Sequence, residues 1–305
     1  MAGLVPAIHV CFLRILERKT WRPGTRPGMT AEDTDQLMSA DSVLEARNVY
    51  KIFVDRSGEA RTALRNISLG VRRGEFLCLI GPSGCGKSTV LNLFAGLVRP
   101  SDGVVLHEQL LVTGVNNRVG YITQDDNLFP WRTAVANVEL ALECKGVPAA
   151  ERRARALAYL DRVGLKGFEK LYPHELSGGM RKRVAIVRTL VDDSVDVILM
   201  DEPFGPLDAQ TRLILQDELL RLWQGTGRSI VFVTHDIVEA IALSDRIAIF
   251  TSTPGEIKDL REIPLPRPRD VFHIHELPGF AEIYDGIWNG LRDEIARSRD
   301  LHGVV

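Results

Sequence analysis

The sequence has few cysteines and almost no net charge. Its four cysteines, Cys11, Cys78, Cys85 and Cys144, show no paired spacing, so no disulfide framework is indicated and a reducing, cytosolic compartment is expected. The formal net charge of −2 provides no general basic excess, which disfavours nucleic acid as a partner. With 45% hydrophobic and 26% charged residues in a chain of 305, the composition indicates a globular protein of one or two domains.

Long uninterrupted apolar segments are also missing. Residues 3–16 form the longest apolar stretch near the N-terminus, but this stretch is too short for a bilayer span and contains His9 and Arg14. Positive charges follow it and no small-residue cleavage site is evident, so a signal peptide is not expected. If the protein acts at a membrane, another chain must cross that membrane.

Residues 1–41 differ in composition from the rest of the chain. The stretch TWRPGTRPGMTAEDTDQ is rich in proline, glycine and charge and has neither helical nor strand periodicity, which predicts a disordered leader. It resembles peptides that arise when dispersed genomic repeats are translated by mistake. We therefore expect the natural start at Met29 or Met38.

From about residue 43 the pattern predicts short strands and then an α/β core. VLEARNVYKIFV and ALRNISLGVRRG alternate on either side of the turn DRSGEA, which predicts antiparallel strands. Strands buried on both faces, and hence a parallel sheet, are predicted from four continuous apolar runs. These runs are at residues 76–80, 195–200, 229–234 and 247–250.

The remaining patterns divide the chain into regions. Between about residues 125 and 190 the patterns are helical only, which predicts a helical insertion in an α/β domain spanning 42–255. In the extension at 256–305, the prolines of REIPLPRPRD are expected to prevent regular structure. The stretch PGFAEIYDGIWNGLRDEIARS then predicts a helix.

The strand-length run FLCLI is followed by GPSGCGKST and by a helix-forming run. This order is that of a phosphate-binding P-loop, in which glycines let backbone N–H groups face a polyphosphate near a helix N-terminus. Lys87 is expected to reach the β- and γ-phosphates of a nucleoside triphosphate and Ser88 to ligate Mg²⁺. The candidate nucleotide-binding residues here are Gly81, Pro82, Ser83, Gly84, Cys85, Gly86, Lys87, Ser88 and Thr89.

Two further strand ends carry candidate catalytic side chains. The strand in VDVILMDEP ends at two carboxylates, of which Asp201 is assigned to the Mg²⁺ shell and Glu202 to the general base. His235 follows the run SIVFVT, where it could reach a γ-phosphate. The spacing of Asp236 and Glu239 predicts a helix N-cap with its reciprocal partner.

A second glycine-rich turn, LSGGM at residues 176–180, precedes the helical run MRKRVAIVRTL. The hydroxyl of Ser177 and the unpaired N–H groups of a helix N-terminus form another anion site. Two such sites in one chain suggest that two chains share a nucleotide.

The P-loop, the LSGG turn, the DEP strand and THD occur in the order found in ATP-binding cassette (ABC) ATPases, which the sequence resembles over about residues 43–255. The resemblance implies a P-loop NTPase core with an antiparallel β subdomain and an inserted helical subdomain. ATP and Mg²⁺ are the implied cofactors. Two subunits would form a head-to-tail dimer in which Ser177, Gly178 and Gly179 contact the γ-phosphate bound by the partner.

The same resemblance implies roles for single residues outside these motifs. Gln124 matches the glutamine that joins the Mg²⁺ shell and senses a permease. Phe53 matches the aromatic residue that stacks on adenine, with Tyr50 as the alternative; either could instead be a core aromatic of the sheet. Asp208 matches the aspartate that communicates across the dimer, and it fits equally well as a helix N-cap.

The stretches DNLFPWRTAVANV and SGGMRKRV and the LPRPRD…IW tail are most similar to ATPase subunits of nitrate, sulfonate and taurine importers. This implies a peripheral subunit on the cytoplasmic face of the cell membrane, with transmembrane permease subunits as partners and a periplasmic solute-binding protein as an indirect one. Pro130, Trp131 and Arg132 would lie near the permease, or form a packed turn. The alternative function is a soluble ABC ATPase that is not coupled to transport.

Two smaller features lead to separate expectations. Cys85 lies near a helix N-terminus, which predicts a lowered thiol pKa and alkylation that blocks ATP binding. His273 and His275 form an H-x-H pair without an evident third ligand, so a metal site is not expected there.

Overall fold

The computed structural model describes residues 42–302. The leader, with Met29 and Met38, lies outside these residues. The first sheet has four antiparallel strands in the order β2-β1-β4-β5. Its strands are β1 (Ser42–Val54), β2 (Ala60–Arg72), β4 (Asp102–His107) and β5 (Leu110–Leu111). The predicted antiparallel pairing of the first two strands is confirmed.

The second sheet forms the core and has six strands in the order β10-β9-β3-β8-β7-β6. All neighbours in it are parallel except β10, which runs antiparallel to β9. The strands are β3 (Phe76–Ile80), β6 (Val119–Ile122), β7 (Val197–Asp201), β8 (Ser229–Val233), β9 (Arg246–Phe250) and β10 (Ile257–Glu262). The four predicted core strands are therefore present and lie side by side.

Seven α-helices complete the described part of the chain. They are α1 (Lys87–Phe94), α2 (Ala134–Cys144), α3 (Ala149–Arg162), α4 (Gly178–Leu190), α5 (Ala209–Trp223), α6 (Ile237–Leu243) and α7 (Phe280–His302), with short 3₁₀ turns at Pro173–Glu175 and Ile274–Glu276. Helices α2, α3 and α4 share a hydrophobic cluster of their own, which includes Val138, Leu160 and Val184. Between residues 42 and 302, no helix has both the length and the apolarity needed to cross a membrane.

Two further clusters cover the faces of the core sheet. Leu64 of β2 and Phe94 of α1 belong to the cluster on one face. Leu219 of α5, Ile241 of α6 and Ile287 of α7 belong to the cluster on the other face. The sheet is thus buried on both sides, as expected for parallel strands.

The stretch after residue 255 differs from the expectation of irregular structure. Strand β10 includes Arg261 and Glu262, the first two residues of REIPLPRPRD. These residues form a strand because the edge of β9 that does not pair with β3 supplies hydrogen-bonding partners. Regular structure stops at the prolines that follow, which have no N–H to donate. Beyond them, α7 buries Ile287 and Leu291 in the same cluster as α5 and α6.

Candidate functional site

The predicted phosphate loop joins the end of β3 to α1. Gly86 is the N-cap of α1 and has a φ of 103°, and a Cβ there would lie 2.5 Å from a methyl carbon of Leu64. Only glycine fits this position without strain. Lys87 is buried, and its Nζ donates to the carbonyl oxygens of Gly81 at 2.8 Å and Pro82 at 2.9 Å. The amine is therefore held within the curve of the loop, beside the N-terminus of α1.

Two oxygen-bearing side chains that could ligate Mg²⁺ lie directly beside this loop. Ser88 Oγ donates to Asp201 Oδ1 at 3.0 Å, although 113 positions separate the two residues. Burial raises the pKa of Asp201, and the hydrogen bond from Ser88 opposes this shift. A hydroxyl and a carboxylate are hard oxygen donors that fit Mg²⁺ and leave room for water and phosphate oxygens. Gln124 is exposed in the loop after β6, and its Nε2 lies 3.5 Å from the position of a Cβ on Gly205.

The predicted general base and histidine lie together at the ends of neighbouring strands. His235 Nδ1 is 3.3 Å from Glu202 Oε2, and the histidine side chain is 64% exposed. Glu202 has a φ of 44°, a left-handed backbone that is uncommon for residues other than glycine. Its N–H donates to Val233 O at 3.0 Å and its carbonyl accepts from Gly205 N at 3.2 Å. Backbone strain of this kind is common at functional sites.

The segment around His235 is fixed by Asp236 and Glu239, but not by the reciprocal cap that the spacing predicted. Asp236 does cap α6, accepting from Val238 N at 2.9 Å and Glu239 N at 3.2 Å. Glu239 does not return the bond, because its side chain is buried and contacts the Thr234 hydroxyl and Gln216 Nε2. Burial raises the pKa of Glu239 to about 7. This carboxyl thus connects the His235 segment with α5.

The LSGG turn forms the beginning of α4. Ser177 is the N-cap and is exposed, and its Oγ accepts from Met180 N at 3.2 Å. Gly178 and Gly179 are the first residues of the helix, and a Cβ on Gly179 would lie 2.9 Å from a methyl carbon of Thr211. Close packing against the start of α5 therefore requires a glycine here.

Asp208, at the start of α5, is the N-cap of that helix. Its Oδ1 accepts from Thr211 N at 2.9 Å, which agrees with the capping alternative. Asp208 is also exposed, so the cap leaves it accessible to another chain. Its role across a dimer stays a prediction.

Three basic residues of α4 hold the segment 123–127, which contains Gln124. Lys182 Nζ donates to Gln124 O at 2.8 Å. Arg188 donates to the carbonyls of Asp126 and Asn127, and Arg181 Nε donates to the Asp126 carboxylate at 2.9 Å. Burial lowers the pKa of Lys182 to about 8 and that of Arg188 to about 10. These contacts are not predicted from the sequence; their signal there is a basic run in a helix that must also bury apolar residues.

The candidate adenine-stacking residue lies on the surface. Phe53 is 45% exposed, so the alternative of a core aromatic is wrong for it. Lys51 Nζ lies 4.8 Å from the centroid of its ring. Tyr50, on the same strand, is half-buried. The choice between the two for adenine stays a prediction.

The predicted reactivity of Cys85 is not supported. The thiol is only 1% exposed, and burial raises its pKa, although the amine of Lys87 opposes the shift. The expectation of a lowered pKa considered the helix N-terminus but not desolvation. The H-x-H pair has separate contacts: His273 Nδ1 lies 2.8 Å from Asp270 Oδ2, and the His275 ring packs edge-on against Phe280.

The residues predicted to face a permease form an exposed aromatic turn. Trp131 is 70% exposed, and its ring centroid lies 5.1 Å from that of Phe129. Pro130 is exposed as well, and Arg132 pairs with Glu143 at 2.8 Å. The alternative of a fully packed turn therefore fails for Pro130 and Trp131.

The chain is similar to known proteins over most of its length. The ABC transporter family signature matches residues 64–205. The chain is 46% identical over 270 residues to an uncharacterized ABC transporter ATP-binding protein of Methanocaldococcus jannaschii, covering 88% of this chain and 99% of that protein. It is 43% identical over 210 residues to the taurine import ATP-binding protein TauB of Yersinia pestis, covering 69% and 81%. It is 41% identical over 256 residues to the nitrate import ATP-binding protein NrtD of Synechocystis, covering 82% and 95%.

A solved structure gives the same assignment. It is a dimeric, post-hydrolysis state of an ATP-binding cassette bound to ADP and Pi, similar at a TM-score of 0.65 and 33% identity, and the match covers 73% of this chain and 100% of that one. The similarity covers between 81% and 99% of the length of these three relatives. Together with the P-loop fold, this coverage assigns the family. The chain belongs to the ABC transporter family and is one of its ATP-binding cassette ATPases.

Proposed function

We propose that this ATPase energises an importer for a small solute, an organic or inorganic anion such as nitrate, a sulfonate or taurine. The observation that carries the hydrolytic part of the proposal is the convergence of two pairs, Ser88 with Asp201 and Glu202 with His235, at the ends of core strands. This is the arrangement that hydrolysis of a magnesium-bound triphosphate requires. The similarity to import proteins named for taurine and for nitrate supports the transport role.

The proposed chemistry assigns one task to each part of the site. Residues 81–89 bind the phosphates, and Lys87 neutralises the charge of the β- and γ-phosphates. Mg²⁺, held by Ser88, Asp201 and Gln124, would supply further charge neutralisation at the phosphate oxygens. Glu202 accepts a proton from the water that attacks the γ-phosphorus. His235, 3.3 Å from Glu202, orients this carboxylate and contacts the γ-phosphate.

The proposed active unit is a homodimer. Ser177 is exposed at a helix N-terminus, where it would contact the γ-phosphate bound by the partner subunit together with Gly178 and Gly179. Asp208, at the neighbouring α5, would sense the partner. Phe53 would stack on adenine, since its ring is exposed on β1.

A permease is the proposed membrane partner, and the chain would lie peripherally on the cytoplasmic face of the membrane. The exposed Trp131 lies on the same connection between β6 and α2 as Gln124. A largely apolar cleft of about 170 Å³ opens between β6, α2 and α4. Because the three basic residues of α4 hold segment 123–127, movement of that segment would be transmitted to α4, the helix that Ser177 caps. A periplasmic solute-binding protein would act indirectly through the permease.

The central experiment replaces Glu202 by glutamine. Glu202→Gln should retain ATP binding, reduce hydrolysis at least about 100-fold because the base is lost, and accumulate as an ATP-bound dimer in size-exclusion chromatography. Glu282→Gln is the matched control: it makes the same substitution at an exposed carboxylate of α7, outside the candidate site. Unchanged turnover in Glu202→Gln would overturn the assignment of the base.

A second experiment tests whether the site is shared between two chains. Ser177→Arg should bind ADP with wild-type affinity, because the chain's own phosphate loop is unchanged, but should lose ATP hydrolysis and ATP-dependent dimerisation. Hydrolysis at the wild-type rate would contradict the role of Ser177.

The transport role is tested with a multispanning membrane protein that co-purifies with the full chain from membranes. ATPase activity in proteoliposomes should rise when the cognate binding protein carries its anion, and Trp131→Ala should lower this stimulation without changing the activity of the isolated chain. A chain that hydrolyses ATP but neither binds nor responds to a permease would favour the soluble ATPase alternative.

A further inference from the structure

Residues 251–255 form a loop that lies against the outer side of the phosphate loop. Thr253 Oγ1 donates to Gly84 O at 3.0 Å. A Cβ on Gly255 would lie 1.9 Å from Cys85 O, so the backbone of this loop contacts that carbonyl directly. Gly255 N donates to Ala63 O at 2.9 Å and its carbonyl accepts from Arg65 N at 2.9 Å. The loop is thereby anchored to β2 while it touches two consecutive peptides of the phosphate loop.

These contacts determine the direction of two peptide units. In a trans peptide the C=O and N–H groups point in opposite directions. The carbonyls of Gly84 and Cys85 face Thr253 and Gly255, so the following N–H groups, those of Cys85 and Gly86, point away from the loop 251–255. The Cys85 N–H lies 3.4 Å from Pro82 O inside the phosphate loop. Anion binding by a phosphate loop needs backbone N–H groups turned toward the anion, and a carbonyl of the same peptide unit must then point away from it. The loop 251–255 therefore favours the binding conformation.

A buried carboxylate of the C-terminal helix fixes this loop. Glu294 is 1% exposed, and its Oε2 accepts from Ser252 N at 3.1 Å and from Ser252 Oγ at 3.4 Å. Its Oε1 accepts from Lys258 Nζ at 2.9 Å. Burial alone would raise the pKa of Glu294, but the hydrogen bonds from Lys258 and Ser252 outweigh it and the pKa lies below its usual value. The group is thus ionised at neutral pH and has several donors.

The position of Glu294 is set by the packing of α7. Gly286, Gly290 and Glu294 are spaced four residues apart and share one face of the helix. A Cβ on Gly286 would lie 2.3 Å from Arg261 Nη1, and one on Gly290 would lie 3.2 Å from a methyl carbon of Ile249. The two glycines allow the helix to approach β9 and β10 closely. This close approach places the carboxylate next to Ser252, just after the end of β9.

We propose that Glu294 is a positioning residue for the nucleotide site: through Ser252 and Thr253 it holds the carbonyls of Gly84 and Cys85 away from the bound phosphates. The proposal rests on the assignment of residues 81–89 as the ATP site. The proposal gives the C-terminal helix α7 a part in nucleotide affinity, although within residues 42–302 no hydrogen bond joins α7 directly to the phosphate loop.

The experiment measures ADP binding by isothermal titration calorimetry and ATP turnover in the full chain. Thr253→Val removes the hydroxyl and should weaken ADP binding and raise KM for ATP about fivefold, the effect of one lost neutral hydrogen bond. Thr253→Ser keeps the hydroxyl and should bind as wild type. Glu294→Ala should weaken binding by a similar factor, with kcat at saturating ATP changed less than twofold.

A double-mutant cycle tests whether the two residues act through one contact. If Glu294 acts through Thr253, the double variant should bind ADP no more than about twofold more weakly than either single variant, because coupled residues are not additive. Asp293→Asn, at an exposed neighbouring position of α7, is the control and should bind as wild type. A purely structural role of Glu294 would lower the melting temperature without this non-additive loss of affinity.

The outcomes separate this proposal from the assignment of the phosphate loop. Lys87→Ala should lose ADP binding, and normal binding in that variant would overturn the assignment itself. If Lys87→Ala loses binding while Thr253→Val and Glu294→Ala bind like Asp293→Asn, or if their effects simply multiply, the positioning role is wrong. If Glu294→Ala does not fold, the comparison of Thr253→Val with Thr253→Ser decides whether the loop affects affinity, and equal affinities would refute the proposal.

Discussion

Replacing Glu239 by glutamine tests whether a buried proton stabilises the structure around His235. Glu239 is 7% exposed, and its Oε1 accepts from Gln216 Nε2 at 2.8 Å while its Oε2 accepts from the Thr234 hydroxyl. Its pKa is raised from 4.5 to about 7, mainly by burial and also by the nearby charge of Asp236, whereas the two hydrogen bonds and Arg212 oppose the shift. Desolvation therefore outweighs the polar contacts, and the neutral carboxyl is favoured in the folded chain.

The sign of the pH dependence follows from this raised pKa. Between pH 4.5 and about 7 the unfolded chain has released the proton and the folded chain has kept it. The folded state then binds more protons, so the free energy of unfolding falls as the pH rises through this window and is level above it. At about 1.4 kcal/mol per pKa unit, the difference between 4.5 and about 7 amounts to about 3 kcal/mol.

The assay compares urea unfolding of the wild-type chain and Glu239→Gln at pH 5 and pH 8. Glutamine keeps the size and the hydrogen-bonding capacity but does not titrate, and all other groups titrate in both proteins. The stability of the variant relative to wild type should therefore rise by about 2.5 kcal/mol between the two pH values, slightly less than the full value because pH 5 already lies above the unfolded pKa. Glu282→Gln, at an exposed position, should leave the pH dependence unchanged. Parallel pH profiles for wild type and Glu239→Gln would refute the reasoning.

Asp208→Ala loses the cap on α5 and should lower the free energy of unfolding by about 1 kcal/mol; an unchanged melting temperature would contradict this. Cys85 is buried whereas Cys144 is exposed, so mass spectrometry should show iodoacetamide labelling Cys144 far faster in the native protein and both equally in urea. Phe53→Leu should raise the Kd for ATP severalfold because aromatic stacking is lost, whereas Tyr50→Leu should have no effect; the reverse result would assign adenine to Tyr50.

The central strands of the sheet could be predicted from the sequence because each is buried on both faces. β3, β8 and β9 are apolar at almost every position and have no exposed residue. β10, with the sequence IKDLRE, could not be predicted, because it is an edge strand with four half-buried and two exposed residues. Its pairing is supplied by β9, and local sequence does not contain that information.

The same distinction holds within the site. Ser88, Asp201 and Glu202 could be predicted because each follows a recognisable strand, and strand order brings them together. The buried positions of Lys182 and Glu239 could not, because charged residues are expected at the surface. Each is buried because protein groups replace the water it loses: backbone carbonyls for Lys182, and a hydroxyl and an amide for Glu239. Such compensation depends on residues distant in sequence.

A phosphate-binding motif specifies the residues that face the ligand, but the carbonyls of the same residues must be held away from it. Here the carbonyl of Gly84 is held by Thr253, 169 positions further along the chain. A hydroxyl can be supplied by several residue types from many places in a fold, so a contact of this kind has no fixed spacing in the sequence by which it could be recognised. The motif therefore predicts that the chain binds a phosphate, whereas the strength of binding also depends on contacts outside the motif.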